Sequence, residues 1–379
     1  MPEPDSHHVV YHTVAMISSL QIRGYRGVEN FEMSGLERIN LLVGTNNSGK
    51  TSVLEAIYIL ISRGDPWSLW HVLWRRGERG SDRLPNRAPE MDVSHLFYGH
   101  DAHLGSQFFL SASNEGSERH VSFKVSELKA EHAPGVAREQ LPVSSRLGLI
   151  IKGQPSPPMG ELPTSRSLGL YSDAFEITRR VRRRTSEEDE VPAQFITAES
   201  LEGDELVSLW DKVALTPNEA RVLSALKFLE PDIERIANQA STQFHRTRGG
   251  FIVKLRNREH PLPIGSMGDG MWRMMAMAIA IAHCKDGVLL VDEIDTGLHY
   301  SVLENMWRLI FGAASELNVQ IFATTHSSDC IKSLAELCYA DPQVAANVTL
   351  QRIERGRSKA VPYTATEIAV AAEKQIEVR

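Results

Sequence analysis

Residues 17–22 (Ile-Ser-Ser-Leu-Gln-Ile) alternate between apolar and polar side chains, the period of a strand with one buried face. Residues 39–43 (Ile-Asn-Leu-Leu-Val) predict a second strand, which Gly44 breaks. After a glycine-rich loop, Leu54, Ala56, Ile57, Leu60 and Ile61 recur at helical spacing and predict a helix over 52–61. The order is strand, loop, helix.

Between about 75 and 192 the pattern weakens under many Gly, Pro and Ser breakers. Strands are predicted at 107–111 and 120–125, a loop at 155–163, and a polar, mobile stretch at 184–190. Three helical segments are predicted between 203 and 239. Thr216-Pro217-Asn218-Glu219 starts the second and Glu230-Pro231 the third, each with proline near a first turn. The last part returns to a parallel α/β rhythm: helix 270–283, all-apolar strand 287–291, helix 300–317, strand 319–323 and helix 327–337. Leu303, Met306, Trp307, Ile310 and Phe311 share one face of the second of these helices. Strands at 347–353 and 360–363 and a helix from Ala365 follow. The methionines of residues 271–277 read as core packing, and no internal repeat occurs.

Composition narrows the class. With 379 residues, 42% hydrophobic and 23% charged, the chain is a folded globular protein, neither disordered nor disulfide-stapled. The net charge of −7 argues against a uniformly basic surface and leaves room for a local basic patch. Cys284, Cys330 and Cys338 form no CxxC pair and no zinc-like spacing, so reduced thiols packed in helices are expected. No apolar run reaches membrane-spanning length. Residues 1–15 carry His7, His8 and His12 but no apolar core of a signal peptide, so they are read as an N-terminal extension and the protein as cytoplasmic.

Four motifs carry chemistry. Gly44-Thr45-Asn46-Asn47-Ser48-Gly49-Lys50-Thr51, followed by Ser52, is a Gly-x4-Gly-Lys-Thr phosphate loop between a strand and a helix. Its amides would surround phosphate at the helix N-terminus, Lys50 would reach the β- and γ-phosphates, and Thr51 would ligate Mg²⁺. Val288-Leu289-Leu290-Val291-Asp292-Glu293 places two acids at the end of a buried strand. Asp292 would hold the Mg²⁺ shell and Glu293 the attacking water. Ala323-Thr324-Thr325-His326-Ser327 ends another apolar strand, where His326 could bond a γ-phosphate or that water. Ser266-Met267-Gly268-Asp269-Gly270 precedes a helix and offers a second anion cradle through Ser266, Gly268 and Gly270. One nucleotide does not need two cradles, so the second is expected to serve the nucleotide of another subunit.

Together these motifs resemble the ABC-type ATPase heads of the RecF, SMC and OLD (overcoming lysogenization defect) families, over residues 16 to about 337. The resemblance implies a P-loop NTPase of α/β class, with a mixed, mainly parallel sheet, an antiparallel β subdomain and a helical insertion. Its expected divisions are a head N-terminal part (16–75), a β subdomain with loops (76–200), a helical insertion (201–240) and a head C-terminal part (241–379). It implies ATP and Mg²⁺ as ligands and a homodimer, or higher oligomer, with ATP sandwiched between heads. The opening strand's Arg23-Gly24-Tyr25-Arg26-Gly27 resembles the family's basic-aromatic turn, which would place Arg23 or Arg26 near phosphate or DNA. Asp295-Thr296-Gly297-Leu298-His299 falls where the family has its D-loop. Gln107 is the one guess at a Q-loop glutamine.

The wording around residues 208–216, 265–271, 292–301 and 324–330 is similar to stand-alone OLD-like ATPases of bacterial defence loci, PARIS-like or related two-gene systems. That likeness implies a separate effector, a Toprim-like nuclease or a toxin. Only 53 residues follow His326, too few for a Toprim domain, so no nuclease is expected in this chain. The long heptads of an SMC coiled coil are missing, as is the Asn-Lys-x-Asp motif of a GTPase. The run Arg179, Arg180, Arg182, Arg183, Arg184 reads either as a DNA or partner contact or as a solvated segment balanced by Glu187, Glu188, Asp189 and Glu190. The leading expectation is therefore a defence ATPase gating an effector, and the alternative is a RecF-like DNA-repair ATPase.

Overall fold

The computed structural model describes residues 16–78, 90–114, 117–127, 147–154, 161–163, 169–171, 191–201, 203–238 and 250–373. The opening alternation sits in β1 (Ser19–Tyr25), where Leu20, Ile22 and Tyr25 are buried. A turn at Arg26 and Gly27 reverses the chain into β2 (Val28–Ser34), antiparallel to β1. β3 (Ile39–Val43) is buried at every position and leads through the glycine-rich loop into the helix Lys50–Ile61. A second helix, Pro66–Arg75, starts on a proline, whose missing N–H costs nothing in a first turn.

The middle of the chain gives β4 (Glu90–Asp92), β5 (Gln107–Asn114), β6 (Ser117–Glu127), β7 (Leu147–Gln154), β8 (Glu161–Pro163) and β9 (Gly169–Tyr171). β5 and β6 contain the two strands predicted there. β8 corrects the end of the predicted loop at 155–163: Leu162 pairs opposite Leu149 at the sheet edge, where a proline is tolerated. The stretch at 184–190 lies outside the described residues.

β10 (Ala193–Ile196) precedes the helices Gly203–Val213 and Pro217–Leu226, both predicted. Thr216 caps the second by accepting from the Asn218 amide at 3.2 Å. The third predicted helix is instead β11 (Ile233–Asn238), paired with β12 (Phe251–Leu255), which also pairs with β13 (Leu262–Pro263). Ile233 and Ile236 stand at helical spacing, yet both are buried because a register shift between Ile233 and Arg235 puts them on one face of a bulged strand.

The helix Asp269–His283 follows, then β14 (Val288–Val291), a 3-10 turn Tyr300–Val302 running into the helix Leu303–Glu316, β15 (Gln320–Thr324) and the helix Ser328–Ala340. β16 (Val348–Arg352), β17 (Val361–Thr364) and the helix Ala365–Glu373 complete the described chain. The three cysteines are free and buried, as expected.

Two six-stranded sheets organise these elements. One is antiparallel in the order β2-β1-β5-β6-β7-β8. The other has the order β10-β14-β15-β3-β16-β17 and is parallel except at β17. β3, β14 and β15 are buried at every position, whereas β17 at the edge is mostly exposed. Leu42, Phe195, Leu290 and Phe322 face a core shared with the helix Lys50–Ile61 and the antiparallel sheet. Ile39, Leu41, Leu289 and Ile321 face a second core built from the helices Asp269–His283, Leu303–Glu316 and Ser328–Ala340. The phosphate-loop helix is thus clamped between sheets. Among the described residues no helix is long and apolar enough to cross a membrane.

Candidate nucleotide site

Parallel pairing brings the C-terminal ends of β3, β14, β15, β10 and β16 to one edge, the edge where open α/β sheets bind ligands. The ladder continues into the loops: the Asp292 amide donates to the Ile196 carbonyl at 2.8 Å, the Thr325 amide to Leu42 at 3.3 Å and the Ile353 amide to Val43 at 2.8 Å. The motifs far apart in sequence are therefore fixed side by side.

In the phosphate loop, Thr45, Asn46 and Asn47 form an exposed tip and Ser48 is buried. Asn47 (φ 60°) and Gly49 (φ 103°) turn the chain through left-handed conformations, so that the helix starts on Lys50, followed by Thr51 and Ser52. Lys50 is 5% exposed and its Nζ donates to the carbonyls of Gly44 (2.8 Å) and Thr45 (2.9 Å). Burial lowers its pKa, against the pull of Asp292 and Glu293. Ser48 Oγ is buried and has no hydrogen-bond partner among the described residues. That orphan fits a phosphate oxygen as acceptor.

Asp292 is the hub. It accepts from Thr51 Oγ1 at 3.1 and 3.2 Å and from Thr324 Oγ1 at 2.6 Å. The Thr324 hydroxyl accepts in turn from the Glu293 amide at 2.8 Å. The Thr51 hydroxyl and the Asp292 carboxylate form the hard oxygen set that Mg²⁺ takes. Glu293 adopts φ 48°, unusual for a side chain of this size, and Thr296 Oγ1 donates to its Oε2 at 3.1 Å. Thr325 Oγ1 donates to Asp295 at 2.5 Å and so ties the Asp295–His299 loop to the strand carrying His326. Burial, and then Lys50, push the His326 pKa below its ordinary value, while Glu293, Asp292 and Asp295 oppose them.

Arg273 was missed from the sequence. It is 2% exposed in the helix Asp269–His283, and its guanidinium donates to the carbonyls of Thr197 (2.5 Å), Asp292 (2.8 Å) and Glu293 (2.9 Å). Burial lowers its pKa to about 10, with Asp292, Asp295 and Glu293 opposing. The signal was present: one charge in the otherwise apolar run 271–282. Thr324 and Thr296 were likewise unassigned. A cavity of about 830 Å³ adjoins Thr51 and Asp292 and is lined by Trp70, Arg75, Phe195 and Glu199 among others.

The second cradle behaves differently. Ser266, Gly268 and Asp269 are exposed. Gly270 lies against the Asp295–His299 loop, since a Cβ there would meet the Gly297 carbonyl and Leu298 at 3.3 Å. Two expectations need correction. Arg26 is 1% exposed, with Nε 2.8 Å from Glu55 and Nη1 2.6 Å from Glu78, so it is withdrawn from DNA, phosphate or a partner. Gln107 begins β5 in the antiparallel sheet and is not on the strand ends that carry Lys50 and Asp292. Arg179, Arg180, Arg182, Arg183 and Arg184 lie outside the described residues.

Comparison with known proteins agrees with this geometry. An "ATP/GTP phosphatase" of Helicobacter pylori is 22% identical over 347 residues, covering 85% of this chain and 88% of that protein. The DNA replication and repair protein RecF of Bacillus cereus is 43% identical, but over only 44 residues, 12% of each chain. Among solved structures, an SMC head bound to the C-winged helix domain of ScpA aligns with a TM-score of 0.50 at 15% identity, covering 92% of this chain and 98% of that one. The fold is that of an ABC-type ATPase head. The family described as "AAA domain, putative AbiEii toxin, Type IV TA system" matches residues 39–329, most of the chain, and the protein belongs to that family.

Proposed function

We propose that this protein binds and hydrolyses ATP, dimerises head to head around it, and thereby regulates a separate effector, a nuclease or toxin, in a bacterial antiphage defence system. The observation that carries the ATPase reading is the convergence of Lys50, Thr51, Asp292 and Glu293, from two strand ends, on one edge. Mg²⁺, when bound, would supply charge neutralisation to the phosphates from between Thr51 and Asp292. Lys50 exchanges its loop carbonyls for phosphate oxygens. Glu293 positions the attacking water and takes its proton. His326, neutral at physiological pH, offers a hydrogen bond to the transferred group. Arg273 positions Asp292 and Glu293 through their carbonyls and touches no substrate. The exposure of Ser266 and Gly268 next to the Asp295–His299 loop supports the dimer, because both would be available to a second head. The family's toxin-system description supports the defence role.

The test is nucleotide binding and light scattering on three full-length variants. Lys50→Ala should lose ATP binding. Glu293→Gln should bind ATP, slow its hydrolysis by about 10²–10⁴-fold and accumulate a dimer. Ser266→Arg should bind ATP yet stay monomeric. Wild-type turnover in Glu293→Gln, or an ATP dimer in Ser266→Arg, would sink the respective role. For the effector, co-expression with the adjacent gene products should restrict phage only when Lys50 is intact.

A RecF-like role on DNA is the second reading, favoured by the 44-residue RecF match. It requires ATP-dependent DNA binding that weakens when Arg179, Arg180, Arg182, Arg183 and Arg184 are neutralised.

A further inference from the structure

Away from the strand-end site, Glu78, His95 and His100 meet behind the phosphate-loop helix. Glu78 follows the helix Pro66–Arg75, His95 lies in the short turn Val93–Leu96, and His100 ends the turn Tyr98–His100. One possible ligand atom from each lies within 4.8 Å of the others. The two imidazole rings are 5.6 Å apart. Asp92 adds a carboxylate 3.9 Å from His95 Nε2.

The second observation is an orphan. Glu78 Oε1 accepts from Arg26 Nη1 at 2.6 Å, but Glu78 Oε2 is buried with no hydrogen-bond partner among the described residues. A buried carboxylate oxygen without a donor costs roughly 1–3 kcal/mol or more. Two imidazoles stand beside it, and a cation shared with them would satisfy it. We propose that Glu78, His95 and His100 bind a divalent transition metal of the zinc class. Two imidazoles and one carboxylate suit Zn²⁺ and its neighbours, whereas Mg²⁺ prefers oxygen ligands alone. Ligand atoms around a tetrahedral ion stand roughly 3.4 Å apart, so the three groups must draw together. His100 is exposed and has the side-chain freedom to close on the other two. A fourth position remains for water or a partner's side chain.

The site's place in the fold gives it reach. Arg26 bonds both Glu78 and Glu55, and Arg76 bonds both Glu55 (2.7 Å) and Ser52 (3.4 Å). The metal would therefore sit at the far end of a polar chain that begins beside Thr51.

Metal content per chain after dialysis against buffered Zn²⁺ tests this, with the visible spectrum of the Co²⁺-loaded protein as a second readout. Wild-type protein should hold one zinc more than His95→Ala/His100→Ala; any zinc on His7, His8 and His12 is common to both and cancels. Glu78→Gln should weaken that equivalent by about tenfold or more. If the double variant does not fold, His100→Ala alone, on an exposed turn, carries the comparison. Equal zinc content in wild type and the histidine variants, or a Co²⁺ spectrum unchanged by Glu78→Gln, would overturn the assignment.

Discussion

A methyl group on Gly44 would stand 2.2 Å from the Ile353 carbonyl oxygen and 2.9 Å from Ser48 Oγ, on a backbone at φ 146°. The loop cannot yield without moving β16. Gly44→Ala is expected to lose roughly 1–3 kcal/mol of stability and most ATP affinity, read by thermal unfolding with and without nucleotide. Arg273 acts through other residues. Arg273→Met would leave the carbonyls of Thr197, Asp292 and Glu293 without their donor, costing roughly 2 kcal/mol. Its kcat should fall more than its KM rises, since it positions Glu293 and does not hold nucleotide; an unchanged kcat would refute this. His326 titrates below its ordinary value, under burial and Lys50 and against Glu293, Asp292 and Asp295. The sign follows from proton binding. As pH falls below about 6.5, the unfolded chain takes up a proton that the folded one resists. The stability contribution is therefore present above that pH and lost below it. ATPase activity should likewise hold from pH 7 upward and decline on the acid side with an apparent pKa below 6.5. That limb should be missing from the pH profile of His326→Gln.

Elements divide according to how much of their pattern is local. The helix at 217–226 was legible because its apolar spacing and its Thr216 cap agree, and the helix at 203–213 because its apolar spacing agrees with its acidic first turn. The segment at 233–238 was not. Its two isoleucines match a helix, but β12 offers a ladder, and a bulge brings both to the same face. Pairing with a strand further along the chain outweighed a weak local preference. The helix Leu303–Glu316 shows the opposite case. Trp307, on the face expected to be buried, is fully covered, and its Nε1 donates to the Cys330 carbonyl at 3.2 Å in the neighbouring helix. Trp307→Ala should destabilise by about 3–5 kcal/mol in chemical denaturation. Trp307→Phe should lose much less, because it keeps most of the packing.

At the scale of the whole molecule, a buried charge cluster ties the antiparallel sheet to the phosphate-loop helix. Arg26 comes from the β1–β2 turn, Glu55 from that helix, Arg76 from the end of the next helix and Glu78 from beyond it. Burial alone would lower the Arg26 pKa, but Tyr25, Glu55 and Glu78 together raise it above its ordinary value. The guanidinium stays charged and needs its carboxylates. Glu55→Gln should cost about 3–5 kcal/mol, because it removes one partner and strands the other. It should also lower ATP affinity, through the Arg76 contact to Ser52.

What the sequence determined by itself was the set of candidate residues that local order marks out. A Gly-x4-Gly-Lys-Thr loop between a strand and a helix, and two acids ending an apolar strand, need only nearby residues to be recognisable, so Lys50, Thr51, Asp292 and Glu293 could be named in advance. Tertiary structure decided what depends on distance along the chain. It set Thr324 on Asp292, and it put Arg273 against the backbone of the strand end that carries Asp292 and Glu293. It turned Arg26 inward, since a residue one turn from a strand can face DNA or the core with the same sequence, and only the carboxylates of Glu55 and Glu78 settle which. It also assembled Glu78, His95 and His100 from three separate turns. Hydrogen bonds and ion pairs act over a few ångströms, and only folding makes neighbours of residues that the chain keeps far apart.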